Sequence, residues 1–539
     1  MALTRGWRRR EWLGSMAAAA LVGCDRDAPN SYDGTWLGAD HALGHRLREA
    51  KSGGWGAPAV QRRVAVLVVG AGIAGLAAAR AFSKAGVDDC HVIDLEREPG
   101  GNSRGHTMAG MRCPLGAHYV PLPGDRATEV IALLEELGLR RTERGAAVYD
   151  DRHLCHAPQE RLYIDGQWHD GLLPPIEALP AAQRAPTQAQ YRRFAAAVAR
   201  VSTEAEFSMP TARAAWSPAL DALDQTSFAS WLATNGFDAP ALRWYLDYCC
   251  QDDYGAAATR VSAWAGLHYF ASRHGFHAPG DGNAESDNVL TWPEGNAWLA
   301  RRLAEPLADR VHTGRLAVQL REGRYEVVVD VWDAKAQRLE RWTASQVVLA
   351  VPIFIAARLF SAPPPALSAA AALMRHAPWL VANVQLREAL RDRPGAAPSW
   401  DNMLYADPPN SALGYVDAMH QSTLPYAGPT VLTAYWAFGG ASEAQANADR
   451  ARLLAEPWSA WSSRVVHNLA LAHPDLPEKV ARVDLMRYGH AMSIPLPGVR
   501  SSAALRALAE QRGRVRFAHS DLSGYSVFEE ALYRGTRVA

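Results

Sequence analysis

The chain has 539 residues, enough for two domains that each bury a core of their own. Its 56 basic and 56 acidic residues cancel, which excludes a broad nucleic-acid footprint and points to a small-molecule ligand. The six cysteines (Cys24, Cys90, Cys113, Cys155, Cys249 and Cys250) show neither CxxC nor His/Cys zinc spacing, so neither a metal site nor a disulfide scaffold is expected.

The first segment, RGWRRREWLGSMAAAALVGCD, carries Arg5, Arg8, Arg9 and Arg10, then an 11-residue weakly apolar run from Leu13 to Gly23 that is too short to span a bilayer. Arg9-Arg10-Glu11-Trp12-Leu13 resembles a twin-arginine export signal, and Leu21-Val22-Gly23-Cys24 resembles a bacterial lipobox, whose cysteine is lipidated. Residues 1–23 are therefore expected to be a signal, with a lipid anchor at Cys24 and an exported body facing the periplasm. Twin-arginine export carries folded proteins, which suits a chain that binds a cofactor before crossing. Residues 24–63 mix Gly, Pro and charge without a sustained period and read as a partly mobile tether.

Val64 to Val69 follows a buried parallel-strand pattern, and Leu76 to Ala85 is a good helix former without proline. The glycines of GAGIAG thus fall at a strand-to-helix turn. Gly70 permits the tight turn, Gly72 lets the backbone approach a pyrophosphate, and Gly75, after Ala74, lets the helix pack closely on the strand. A second strand, CHVIDLE, ends in acids, and Asp94 lies 24 residues after Gly70, so Asp94 or Glu96 is placed to bind a ribose. The pattern predicts a dinucleotide site.

Next come Gly100-Gly101-Asn102-Ser103-Arg104 and Leu115-Gly116-Ala117-His118-Tyr119. Together with Asp94 they resemble the second glycine motif and the flavin-contacting strand of the flavin-containing amine oxidoreductase family, which includes monoamine and polyamine oxidases and is related to phytoene desaturases. The resemblance implies FAD and an α/β fold: a Rossmann-like FAD-binding domain of the GR2 type, interleaved with an α+β substrate domain. Counting back six from Gly100, as the family does, selects Asp94 over Glu96.

Residues 126–285 carry helix-like patterns such as ATEVIALLEELGL and SFASWLATNGF. There, RWYLDYCCQDDYG gathers Asp247, Asp252 and Asp253 among aromatics, a composition suited to a cationic amine or, alternatively, to a core helix with a solvated acidic loop. Further on, WPEGNAWLARRLAEPL, a hairpin over 311–332 and ASQVVLAVPIFIAARLF are similar to the family's central segment, with Val318 on the adenine side. In residues 363–479, HAPWLVANVQL matches the strand on which many family oxidases carry a lysine beside the flavin, and Asn383 or a neighbour stands there instead. None of the four lysines (Lys51, Lys84, Lys335, Lys479) is placed to substitute. Asp401 follows as a further candidate for the pocket.

In YGHAMSIPLPG, His490 matches the cysteine that tethers FAD in monoamine oxidases, so FAD is expected to be non-covalent, and Ala491 matches one tyrosine of their aromatic pair. VRFAHSDLSGYSVFEEALYRG resembles the closing FAD motif: Asp521 lies near the ribityl chain, Tyr525 matches the other tyrosine, and Glu530 replaces a customary glycine. His118, Asn383, His490 and Tyr525 are the candidate catalytic residues, the histidines as polar contacts or proton acceptors. The FAD domain is expected over 64–125, 286–362 and 480–539, and the substrate domain over 126–285 and 363–479. Hydride transfer from an amine, polyamine-like, to flavin is the leading expectation, with oxygen, a quinone or a protein accepting the electrons. Desaturation or isomerisation of an apolar substrate with a non-oxygen acceptor, and a non-catalytic flavin-binding lipoprotein, are the alternatives.

Overall fold

A computed structural model describes residues 32–49, 54–273, 275–278, 288–406, 410–423 and 427–539. The export signal and Cys24 lie outside them. In chain order the elements used below are β1 (Asp33–Leu37), α1 (His41–Glu49), β2 (Val60–Val69), α2 (Ile73–Lys84), β3 (Cys90–Ile93), α3 (Thr128–Glu136), β4 (Glu160–Ile164) and β5 (Gln167–Asp170). They continue with α4 (Pro240–Tyr254), α5 (Ala263–Ala271), β6 (Val311–His312), β7 (Arg315–Glu322), β8 (Val327–Asp333), β9 (Arg338–Leu349), α6 (Pro365–Leu373) and β10 (His376–Leu386). The last are β11 (Asp401–Leu404), β12 (Ala412–Asp417), β13 (Thr430–Ala437), β14 (Val480–Ser493), β15 (Val515–Phe517) and α7 (Phe528–Thr536).

Two sheets organise the molecule. The first has the order β6–β3–β2–β9–β8–β7, with β15 also paired to β9. Its centre is parallel: β2 lies between β3 and β9 in register Val66↔Cys90 and Val66↔Gln346. Residues Leu67 to Val69 are buried on both faces, because α2 covers one side and the β7–β9 meander with its helices the other. The helices α2 and α7 cross so closely that a Cβ on Gly535 would lie 2.1 Å from the Ala74 carbonyl oxygen. Only glycine allows that approach, and it fixes α7 against the strand-to-helix turn.

The second sheet has the order β1–β14–β10–β13–β12–β11–β4–β5. β10 and β13 are buried almost throughout, since the helical region with α4 and α5 covers one face and the Trp458–Ala470 helix the other. Between α4 and α5, Phe194, Phe237, Phe270 and Phe276 pack edge to face, with centroids 4.9–5.5 Å apart.

Three expectations about chain organisation change. Residues 33–49 of the expected tether are folded: β1 joins the sheet edge in parallel with β14, from Asp33↔Arg482 to Leu37↔Met486. In α1, Leu43 and Leu47, four apart, bury into the first domain's core while Arg46 lies over Trp55 and Trp332 at 4.5 and 4.7 Å. Second, β14 pairs antiparallel with β10, so 480–493 of the expected FAD segment belongs to the substrate sheet. Third, α3 and α6 bury their apolar faces in the cores around α2 and β9, so the substrate domain begins later than residue 126 and resumes only at β10.

Candidate functional site

β2 ends at a turn built by backbone contact. Gly70 sits at φ +105°, and a Cβ there would lie 2.5 Å from the Ala350 oxygen. One on Gly75 would lie 1.8 Å from the Gly70 oxygen. Both glycines are demanded by the protein itself. Gly72 is different, because a Cβ there would meet nothing nearer than Gly101 Cα at 3.9 Å. The Gly72 approach is open at the amino end of α2, whose first turn holds no acid and has no side-chain cap. An open glycine before uncapped, dipole-aligned amides suits a diphosphate. Gly100 N–H donates to the Ala71 carbonyl at 2.8 Å, and Gly101, at φ +58°, packs against Gly72, so the two glycine motifs form one surface.

The acids at this end are held by amides. The Asp94 carboxylate accepts from Ala71 N (2.5 Å) and Glu96 N (2.7 Å), which uses two of its four lone-pair positions. Burial pushes its pKa up, and those amides pull it back. Glu96 pairs with Arg104 at 3.0 Å and accepts from Asp40 N at 3.2 Å. Arg104 also donates to the Gly101 and Gly38 carbonyls, so it braces the second glycine motif within the protein. Val318 is buried at a bulge of β7, where the ladder with β8 skips between Ala317 and Gln319. Asp521, expected near the ribityl chain, is 0 % exposed: it accepts from Ile353 N at 2.9 Å and faces His376 (3.2 Å) and His519 (3.3 Å). Although burial works against it, those two histidines hold its carboxyl well below the usual range. Its role is to fix the loop after β9, behind the cleft surface.

A cleft lies beyond the glycine surface. Asn102, Gly116, Ala117 and His118 form one wall, while Trp379, Val381 and Tyr435 form the other. Asn102 donates to the Ala491 carbonyl at 2.6 Å, and Tyr488 OH donates to the Leu115 carbonyl at 2.8 Å, which ties β14 to the flavin-side strand. The His118 ring stacks on Tyr435 with centroids 4.5 Å apart, and burial pulls its pKa down to about 3. His118 is therefore neutral and a poor base near pH 7, contrary to the proton-acceptor expectation.

Three other expected residues do not line this cleft. Asn383 is 0 % exposed, donating to the Pro114 carbonyl at 3.1 Å and accepting from Thr433 Oγ1 at 2.7 Å; β10 presents Trp379 and Val381 instead. His490 is exposed beside Phe354 (4.9 Å), and its neighbours Ala491 and Met492 reach the cleft in its place. Tyr525 is buried among Tyr254, Trp264 and His268, its hydroxyl 3.4 Å from both His268 Nε2 and Glu530 Oε1. Gly524, at φ +86°, turns the chain just before it, and Val527 is the residue that faces the cleft. From these two segments, Ala491 and Val527 thus face the cleft where an aromatic pair was sought. Tyr525→Phe is expected to change the rate of flavin reduction by less than about twofold, measured by rapid mixing, because it removes only long hydrogen bonds remote from the cleft.

The cleft continues into an outer chamber through shared walls at His118, Tyr119, Asp252 and Arg273. There Tyr245, Tyr248, Tyr269 and Trp400 surround Glu160 and Asp401. Parallel pairing of β4 with β11 sets Asp401 directly beside Glu160. Burial, then Glu160 and Asp252, push the Asp401 carboxyl well up, and burial with Asp253 pushes Asp252 up to about 7. Asp253 is bridged to Arg273 at 2.8 Å. With Glu529 from α7, five carboxylates and one arginine line the two chambers among the described residues. Glu160 had no signal in the sequence, since only a strand 240 residues later gives it a partner.

The sequence profile of a family described as flavin containing amine oxidoreductase matches residues 73–539. The fold is similar to that of a putrescine oxidase bound to putrescine (TM-score 0.61, 20% identity, covering 88% of this chain and 98% of that one). It is also similar to cyclohexylamine oxidase from Brevibacterium oxydans (TM-score 0.63, 19% identity, covering 88% and 97%). A fatty acid isomerase from P. acnes aligns as well (TM-score 0.61, 14% identity, covering 88% and 97%). No curated protein matches by sequence.

Proposed function

Because the chain belongs to the flavin-containing amine oxidoreductase family and is an FAD-dependent oxidoreductase, we propose that it oxidises a polyamine-like amine in the acidic cleft. FAD, when bound, would supply a two-electron acceptor suited to a hydride from the carbon beside the amine. The glycine surface of Gly70, Gly72, Gly100 and Gly101 would hold its diphosphate, and Asn102 with Gly116 to His118 would lie along its ring end. The protein's part is then to orient and desolvate the amine. Tyr435, Trp379 and Tyr488 enclose the reacting end in apolar and aromatic surface, which excludes water and favours a cationic approach.

The observation that carries this reading is the excess of carboxylates over cations in an aromatic cavity that opens on the glycine-motif wall. Carboxylates this buried raise one another's pKa, and an incoming ammonium relieves that repulsion. A linear diamine can place one nitrogen in the inner cleft and the other between Glu160 and Asp401. Asp401→Asn is therefore expected to raise the half-saturating concentration of 1,4-diaminobutane about tenfold with little change in kcat, because the contact is made equally before and during reaction. A matched monoamine should be unaffected. Equal loss for both amines would remove the support that the outer chamber gives.

A second reading, reaction of an apolar substrate with a quinone or protein as acceptor, is favoured by Val381, Ala491 and Val527, which give the inner cleft apolar surface. Export and lipid anchoring at Cys24, facing the periplasm, belong to the same proposal and are supported by the Arg9-Arg10 and Leu21–Cys24 signals.

A further inference from the structure

Two hydrogen-bond acceptors of residues lining the inner cleft are under-supplied with donors. Glu529, at the second position of α7, is 3 % exposed, and among the described residues its carboxylate has only its own main-chain amide as a hydrogen-bond partner. Its sequence neighbour Glu530 accepts from Thr211 N and Ser523 Oγ, and nearby Asp253 is tied to Arg273. Asn296, which also lines the cleft, is 1 % exposed and donates through Nδ2 to the Tyr119 carbonyl at 2.9 Å, while among the described residues its Oδ1 accepts from nothing. A buried carboxylate with only its own amide as donor and a buried amide oxygen with none each carry a desolvation cost that a donor-rich ligand offsets. An ammonium group offers two or three N–H donors and a positive charge.

We propose that Glu529, with Asn296 Oδ1 as a second acceptor in the lining of the same cleft, is the site that receives the reacting nitrogen of the substrate. The inference rests on the amine reading and sharpens it, since it assigns the inner nitrogen where the outer chamber takes the distal one. The step is a proton transfer: an N–H bond of the ammonium breaks, an O–H bond forms on Glu529, and the nitrogen keeps the electron pair. No electrons change hands, and the amine is left neutral, as it must be to give up a hydride from the neighbouring carbon.

The environment sets the pH at which this works. Burial pushes the Glu529 carboxyl up to about 7, with Arg273 lowering it and Asp253 and Glu530 raising it. Asp252, the neutral His118 and the phenols of Tyr119, Tyr435 and Tyr488 are the other titratable groups lining the same cleft. Below that value Glu529 is protonated and neither attracts the ammonium nor accepts its proton, so binding weakens as pH falls.

Anaerobic calorimetric titration of the dithionite-reduced holoenzyme, whose flavin can accept no hydride, with 1,4-diaminobutane tests this without turnover. Wild-type affinity is expected to fall about tenfold between about pH 8 and about pH 6, where a group of pKa near 7 gains its proton. Glu529→Gln should bind about tenfold more weakly at the higher pH and lose that dependence, with Glu529→Asp recovering part of both and FAD content unchanged throughout. Glu529→Gln binding as tightly as wild type, with the same pH dependence, overturns the proposal, as does a wild-type enzyme that binds no diamine. Glu529-dependent binding of a diamine that does not bleach the oxidised flavin would leave the site standing and defeat the amine-oxidation reading.

Discussion

Gly75→Ala is expected to give a protein that holds no flavin. The added Cβ would lie 1.8 Å from the Gly70 oxygen, 2.9 Å from the Gly70 carbonyl carbon and 3.3 Å from Ala350 Cβ. Backbone cannot rotate away as a flexible side chain can, so α2 must withdraw from β2 and the glycine surface opens. Overpacking of this kind costs about 1–3 kcal/mol, and a contact this short lies at the upper end. At about 1.4 kcal/mol per decade, the affinity for FAD falls about 100-fold. Visible absorbance after dialysis against FAD reads the result directly, and a yellow protein with wild-type FAD content would contradict it. Gly72→Ala separates fold from ligand, because its Cβ meets only Gly101 Cα at 3.9 Å. That variant should keep the thermal stability of the flavin-free protein and still lose FAD, since its methyl enters the approach to the diphosphate.

Glu530→Gln is expected to destabilise the protein by about 3 kcal/mol, as breaking a buried ionic cluster does. The Glu530 carboxylate accepts from Thr211 N and from Ser523 Oγ, both at 2.5 Å, and lies 3.4 Å from Tyr525 OH. It also balances Arg500 and Arg534, whose guanidinium groups burial would otherwise penalise. The neutral amide keeps the size of the side chain but cannot accept from every donor or offset two buried cations. A lower urea midpoint with unchanged slope is the expected reading; a midpoint equal to wild type would mean that the cluster is already balanced elsewhere. Where the family customarily has glycine, this chain has a carboxylate that joins α7 to the helical region at Thr211.

The glycine motifs were legible because their requirements are local: a turn with positive φ and a close helix–strand contact are met within a few residues. The strand, the helix and the acid at Asp94 follow from short-range patterns as well. The substrate cavity was not legible in the same way. Glu160 and Asp401 become neighbours through one parallel register, and no feature near residue 160 announces it. Asn383 was misplaced because β10 is buried at nearly every position, so periodicity does not reveal which residues face the cleft. Tyr525 was expected at the cleft from its motif, yet the turn at Gly524 sends it into the helical core and leaves Val527 at the cleft. β1 escaped notice as a five-residue edge strand whose partner lies some 450 residues away, although Leu43 and Leu47 carried the helical spacing of α1.

Anaerobic mixing of the FAD-loaded protein with 1,4-diaminobutane tests the central claim most directly. The account predicts that the flavin's visible absorbance bleaches in a single saturable process, and that butane-1,4-diol, equal in shape but lacking the charge, leaves it unchanged. Flavin that stays oxidised with diamines and monoamines alike, yet bleaches with an apolar alkene or fatty acid, would contradict it.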